Sequence, residues 1–270
     1  MPSLPTLVCV HAHPDDEAFF AAGAVAHYAA LGHRVVLITC TNGMLGFDQN
    51  HLAGNQRGHD EVATKVTRAG ELQRSVATLG FARAVSLGYD DSGMMGWPQN
   101  ENPDAFMNVD VEAAARTVAS ILDEEDAAVV VTYDERGFYG HPDHIQSNVV
   151  ARRAVQLSSS VERLYSSVVP EGVITTLIAG AKEIGLSLPA FVLDAGTHVA
   201  DDLVAATMDV SSLVKVKHDA MAAHASQIDN AELVEMNDEL FSLLFSTEYY
   251  QRAWSRHDAS GDATDLFGGL

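Results

Sequence analysis

Leu7-Val8-Cys9-Val10-His11-Ala12-His13-Pro14-Asp15-Asp16-Glu17 decides the architecture. A short apolar run breaks into polar residues. Ala18 to Leu31 then reads as a helix of small residues, stopped at Gly32. Val35-Val36-Leu37-Ile38 follows as a second buried strand, and the alternation repeats. Val62 to Leu79 is a helix ended by Gly80, Ala84-Val85-Ser86-Leu87 a third strand, Val111 to Leu122 a helix and Ala127 to Thr132 a fourth strand. His141-Pro142 opens another helix, with proline at its first position. Repeated βα units imply parallel strands joined by right-handed crossovers, with helices on both faces. The expected fold class is α/β: a Rossmann-like three-layer sandwich with a mostly parallel sheet and a C-terminal elaboration.

The last third is less regular. Leu164 to Val169 reads as a fifth strand, Ala206 to Val210 as a short one, and Ser212 to Gln227 and Val234 to Leu244 as helices. Glu248 to Trp254 fits strand or helix. The domain reading is one unit over 1–257, with a core over about 5–170, an elaboration over about 171–257 and a flexible tail over 258–270.

The 270 residues are 47% apolar and 20% charged, which excludes a disordered chain, a collagen and a disulfide scaffold. Sixteen basic against 37 acidic residues give a net charge of −21, so neither nucleic acid nor an anionic membrane surface is an expected partner. The acids are dispersed, as on a solvated surface. Cys9 and Cys40 each lie in a β-branched run, as buried thiols of a reduced, cytoplasmic protein would. No segment reaches the roughly 18 apolar residues of a membrane span, and Met1 to Thr6 lacks the basic start of a signal peptide.

Open parallel sheets bind ligands beyond the carboxyl ends of their strands. After strand one comes His13-Pro14-Asp15-Asp16, and after strand four Tyr139-Gly140-His141-Pro142-Asp143-His144. His13 and Asp16 are three apart, as are His141 and His144, so each pair can face one way. Either segment alone is explained by acids in a first helical turn or a histidine beside an N-terminal proline. Together at one sheet edge they favour a metal site, and three protein ligands with an open position is the catalytic zinc arrangement. Spacing leaves open which of His141 and His144 is the ligand. Asp15, beside Asp16, is the natural base for activated water. The spare histidine can act as an imidazolium acid, and Tyr139 can hydrogen-bond an oxyanion. The sum is metal-assisted hydrolysis of an amide or ester.

Two other classes compete. Two histidines and a carboxylate also hold Fe(II) in non-haem oxygenases, although that chemistry is expected on a β-rich fold. A nucleotide-binding module is disfavoured because no Gly-x-Gly-x-x-Gly follows strand one and no Walker loop occurs.

Ala12-His13-Pro14-Asp15-Asp16-Glu17, Asp91-Ser92-Gly93-Met94 and Tyr139-Gly140-His141-Pro142-Asp143-His144 resemble the PIG-L/LmbE-like zinc-dependent N-deacetylases. The resemblance implies one Zn²⁺ per chain on His13, Asp16 and His144, with Asp15 as general base. It makes His141 the imidazolium acid, oriented by Asp143, and Tyr139 an oxyanion donor. Arg68 and Asp91 match sugar-proximal positions, and the implied substrate is a small N-acylated, typically N-acetylated, amino sugar. One departure is Gly43-Met44, where members acting on mycothiol-type substrates carry Gly-Glu. The missing carboxylate points away from a mycothiol precursor. An amidase acting on a mycothiol-like thiol conjugate or another small amide is the alternative. Trp97, Phe106 and Phe138 are candidates to stack on a sugar ring, with core packing as the competing fate. His51 and His59 are too loosely spaced to be ligands, and the sequence leaves a homo-oligomer open.

Overall fold

The computed structural model describes residues 4–184, 198–228, 231–257 and 264–270. Five strands run parallel: β1 (Thr6–His11), β2 (Val35–Thr41), β3 (Arg83–Tyr89), β4 (Ala127–Thr132) and β5 (Arg163–Pro170). Their order is β3-β2-β1-β4-β5. β1 and β2 are buried along their whole length, as continuous apolar runs require in a sheet covered on both faces. The chain moves from β1 outward to β3 and then returns to β4 on the other side of β1. Connections therefore diverge above β1 and β4, and a crevice opens there.

The C-terminal third widens the sheet. β6 (His198–Val199) adds two residues alongside β5, and β7 (Ala206–Asp209) pairs antiparallel with β8 (Thr247–Ser255). β8 is itself antiparallel to β5. The stretch Glu248 to Trp254 is thus a strand, with ladder partners on both sides.

Alternate side chains of the central strands build two cores. Leu7, Cys9, Val35, Leu37, Val129 and Val131 face α2 (Ala22–Ala30), the end of α3 (Glu61–Leu79) and, from the C-terminal third, α8 (Val214–Ala222). Val8, Val10, Val36, Ile38, Val130 and Leu164 face α4 (Val111–Glu124) and α6 (Pro142–Leu157). The three-layer sandwich follows. α1 (Asp16–Phe20) and α5 (Gly137–Gly140) are short turns at the crevice, and α7 (Glu171–Ile184) follows β5.

Four stretches differ from the sequence reading. Ala18 to Leu31 is not one helix. It breaks at Ala21 because the Glu248 carboxylate accepts from Gly23 N–H at 2.8 Å and Ala24 N–H at 2.9 Å, capping a new start. A side chain at Gly23 would meet Val210 at 2.6 Å, so only glycine allows this approach. The expected helix over Ser212 to Gln227 stops at Ala222, and Val234 to Leu244 divides into α9 (Ala231–Val234) and α10 (Asp238–Phe245), capped by Asn237. Part of the expected flexible tail is packed: Leu266 is fully buried, and its N–H donates to the Tyr28 hydroxyl at 2.8 Å. Phe267 meets Tyr28 edge-on and stacks on His33, burying apolar surface that a frayed end would expose. Residues 258–263 lie outside the described residues. Among the described residues no helix is long and apolar enough to cross a membrane.

Candidate active site

The two histidine segments meet at the crevice above β1 and β4. His13 Nδ1 lies 3.2 Å from His144 Nε2 and 3.3 Å from Asp16 Oδ2, and His144 Nε2 lies 3.3 Å from Asp16 Oδ1. Tetrahedral ligands at about 2.0–2.1 Å from Zn²⁺ sit about 3.4 Å from one another; the two histidine nitrogens meet that spacing, while Asp16 faces them with different oxygens, Oδ2 toward His13 and Oδ1 toward His144.

The protons around the triangle point outward. His144 Nδ1–H donates to Gly137 O at 3.2 Å, and His13 Nε2–H donates to Asp143 Oδ2 at 3.2 Å. Metal binding takes each ring in this singly protonated form, with both inward nitrogens offering lone pairs beside the Asp16 carboxylate. A cation relieves that arrangement, and outward hydrogen bonds of this kind orient metal-binding imidazoles. Asp16 Oδ2 accepts from the Tyr133 hydroxyl at 2.6 Å and from His13 N–H at 2.6 Å. His13, His141 and His144 also bring ring nitrogens within 4.8 Å of one another, so His141 is a geometric rival to Asp16. Asp16 has Oδ2 fixed by Tyr133 and the His13 amide and turns Oδ1 toward His144, and His13, Asp91, His141 and Asp143 form a second group of that kind.

His141 caps the N-terminus of α6, its Nδ1 accepting from Asp143 N–H at 3.1 Å. That bond requires an unprotonated Nδ1 and leaves the proton on Nε2. Burial, with His13 and His144 close by, holds its pKa well below the usual histidine value. In this arrangement the ring presents Nε2–H as its donor. Asp143 does orient His141, but through its main chain. Its carboxylate accepts from Ser92 N–H at 2.9 Å, from Ser92 Oγ and from His13.

Asp15 sits at the mouth of the site with φ 130°, a conformation that L-residues rarely take. Burial pushes its carboxyl up to about 7, against the Arg68 guanidinium 3.2 Å away. Arg68 is pinned by Gly43 O at 2.8 Å and Pro14 O at 2.6 Å. Burial opposes charge on His13 and Asp16 alike, yet the ionic contacts prevail. Asp91, Asp143 and Asp16 hold His13 well above its usual value, and His144 and His13 hold Asp16 well below its own. Asp91 accepts from Gly93 N–H at 2.8 Å and lies 3.8 Å from His13 Nε2.

A cavity of about 610 Å³ opens onto these groups. Its walls include Arg68, Asp91, Trp97, Phe138, Gln227 and Tyr139, the last 45% exposed with its ring 5.0 Å from that of His144. Phe106 is not there. It is fully buried and stacked on Tyr89 in the α4/α6 core. His59 Nε2 hydrogen-bonds Gly46 O at 2.8 Å, a loop staple remote from ligation.

Residues 8–155 match the family model PIG-L, described as GlcNAc-PI de-N-acetylase. The chain belongs to the PIG-L family. A full-length relative from Geodermatophilus obscurus is 37% identical over 98% of this chain and 97% of its own, and is named 1D-myo-inositol 2-acetamido-2-deoxy-alpha-D-glucopyranoside deacetylase. Among solved structures, the zinc-inhibited form of teicoplanin deacetylase Orf2 shares the fold with a TM-score of 0.60 and 19% identity, covering 92% of this chain and 98% of that one. The 4-carboxy-2-hydroxymuconate hydratase GalB from Pseudomonas putida KT2440 does so with a TM-score of 0.61 and 14% identity, over 95% and 99%. A fold shared with a hydratase does not fix the reaction. The relatives named as deacetylases and the family model carry that part, and PIG-L members are amide hydrolases.

Several residues of this PIG-L site escape sequence reasoning. Tyr133 directly follows the apolar run of β4 and reads as its end, yet it hydrogen-bonds Asp16. Ser92, quoted only within a motif, anchors Asp143. His224 and Gln227, read as the tail of a helix, enter the site region in the turn after α8. An aromatic at a strand's carboxyl end is the one signal that could have found Tyr133.

Proposed function

We propose that this PIG-L member removes the N-acetyl group from an amino-sugar glycoside, using zinc on His13 Nδ1, Asp16 and His144 Nε2. The observation that carries the reading is the gathering of His13 Nδ1, His144 Nε2 and the Asp16 carboxylate at 3.2–3.3 Å, with Asp15 beside them. Zinc there supplies a Lewis acid that lowers the pKa of water to about 7. Asp15 takes the proton of the attacking water, and a carboxyl near 7 is half-ionised at neutral pH, as a general base should be. Neutral His141 donates its Nε2–H to the amide oxygen as charge develops there. As the C–N bond breaks, the departing amine nitrogen receives the proton that Asp15 has gained, so one carboxyl serves both steps, and amide plus water become carboxylic acid plus amine. Tyr139, which lines the cavity beside His141 and His144, serves as a second donor to that oxygen.

Arg68, Asp91 and Trp97 give the sugar end charged, polar and stacking partners. Several relatives at 34–37% identity over nearly the whole chain carry the same acetamido-glucoside deacetylase name, which supports a sugar glycoside over a thiol conjugate. The unpaired, buried thiols of Cys9 and Cys40 fit a cytoplasmic setting. The test is amine release by the zinc-loaded protein from N-acetylglucosaminyl-inositol, free N-acetylglucosamine and an S-conjugated amide. Turnover is expected on the first above the others, the relatives' shared name outweighing the Gly43-Met44 departure that points away from this mycothiol precursor. Release from none of them overturns the proposal.

A further inference from the structure

Glu17 closes the His-Pro-Asp-Asp-Glu stretch, yet the chemistry above leaves it unused. It is fully buried, and Oε2 accepts from Asp15 N–H at 3.0 Å. That amide belongs to a non-glycine residue at φ 130°, ψ −27°, with no side-chain cap of its own. A strained backbone persists only where its surroundings over-determine it, and the Glu17 carboxylate is the group that holds this amide. The other oxygen, Oε1, lies 2.7 Å from Nε2 of His224, 207 residues further along the chain and also buried. A buried carboxylate without a cationic or donor partner is costly and moves or neutralises. His224 is the partner that keeps it in place.

His224 is itself fixed to the frame that holds the other end of Asp15. Two residues on, Ser226 N–H and Oγ donate to the two oxygens of Glu71 at 2.8 and 2.7 Å. Glu71 stands three residues after Arg68 on α3, so the two share a helix face. Arg68 holds the Asp15 carboxylate at 3.2 Å. Gln227 Oε1 accepts from Phe47 N–H at 3.1 Å and ties the same turn to the loop after β2. The amide and the carboxylate of Asp15 are thus both secured to one assembly, and the turn 223–227 locks it.

We infer that His224, acting through Glu17, is a positioning residue that holds the base Asp15 in its strained working conformation. The inference rests on the reading of Asp15 as base. The C-terminal elaboration, on this view, contributes to the chemistry without touching the substrate.

The test compares His224→Leu, which removes the donor to Glu17, with His224→Gln, whose amide N–H can replace it. Both are assayed zinc-loaded for kcat, KM, metal content and amide hydrogen exchange over 12–20. His224→Leu should keep its metal and KM while kcat falls about a hundredfold, the scale of an ångström of misplacement. Exchange at the Asp15 amide should accelerate, and His224→Gln should recover most of both losses. Equal losses in the two variants, loss of metal, or unchanged kcat in His224→Leu would overturn the inference. If His224→Leu fails to fold, His224→Asn, whose amide is too short to reach Glu17, reads the same effect. Full activity in Asp15→Asn would instead remove the base assignment, while faster Asp15 exchange in the His224 variants would still report the positioning contact.

Discussion

Tyr133 lies flat on the imidazole of His144, ring centroids 4.1 Å apart and planes 9° from parallel. The same residue donates its hydroxyl to Asp16 Oδ2 and accepts from Ala12 N–H at 2.7 Å, so one side chain braces two of the three proposed ligands. Tyr133→Phe keeps the stack and deletes both hydrogen bonds. Metal affinity should fall about 10–100-fold, the usual effect of losing an outer hydrogen bond to a ligand. Competition against a chelator of known affinity measures it, and unchanged affinity would show that the hydroxyl is dispensable.

His13→Ala, Asp16→Ala and His144→Ala should each lose the metal, while His141→Ala should retain it. Chelation of the wild type should lower Tm, because a ligand of the native state present at 1,000 times its Kd stabilises by about 4 kcal/mol. Metal analysis of the four variants decides the ligand set. Retention in Asp16→Ala with loss in His141→Ala would exchange those two roles.

Asp15→Asn should keep zinc and lose about 10²- to 10⁴-fold in kcat. The base works deprotonated, and its carboxyl sits at about 7. Wild-type kcat/KM should therefore fall as pH drops through about 7, and this limb should flatten in the variant. A wild-type profile unchanged from pH 5 to 8 would remove Asp15 from the proton transfer.

Lys217 and Glu248 form a buried pair at 2.8 Å, with Glu248 also accepting from Gly23, Ala24 and Tyr250. Burial works against the charge on Glu248, but Lys217 and these donors hold its pKa below the ordinary value of 4.5. A depressed carboxyl stabilises the fold above its unfolded pKa, and the contribution disappears as pH falls through the folded value. Lys217→Met should cost about 3–5 kcal/mol at pH 7 by leaving a buried carboxylate without its cation. In urea denaturation the gap between wild type and Glu248→Gln should be wide at pH 7 and shrink progressively as pH falls below 4.5. A gap independent of pH would mean that shape, not charge, holds this junction.

The parallel core and the two histidine segments were legible because each is encoded locally. β1 and β2 are unbroken apolar runs, and the motifs sit within a few residues of strand ends. Features that depend on distant partners were not legible. Ala18 to Leu31 has helix-forming composition throughout, and its break is imposed by Glu248 from across the sheet. Tyr133 reads as strand residue because its partner Asp16 is 117 positions away. The Nδ1 partner of His141 is the main-chain N–H of Asp143, which no side-chain pattern encodes. Phe106 sits in an irregular segment whose composition does not reveal that it folds back into a core.

Cys9 and Cys40 lie on adjacent strands but in opposite cores, fully buried. Burial raises both thiols, Cys40 to about 12, so neither offers a thiolate at neutral pH. The folded protein is accordingly a silent background for maleimide chemistry. A cysteine placed at an exposed position such as Val62 or Leu243 becomes its single reactive handle, and a pair of them allows spin-label or fluorophore distances to be read without first replacing the native thiols.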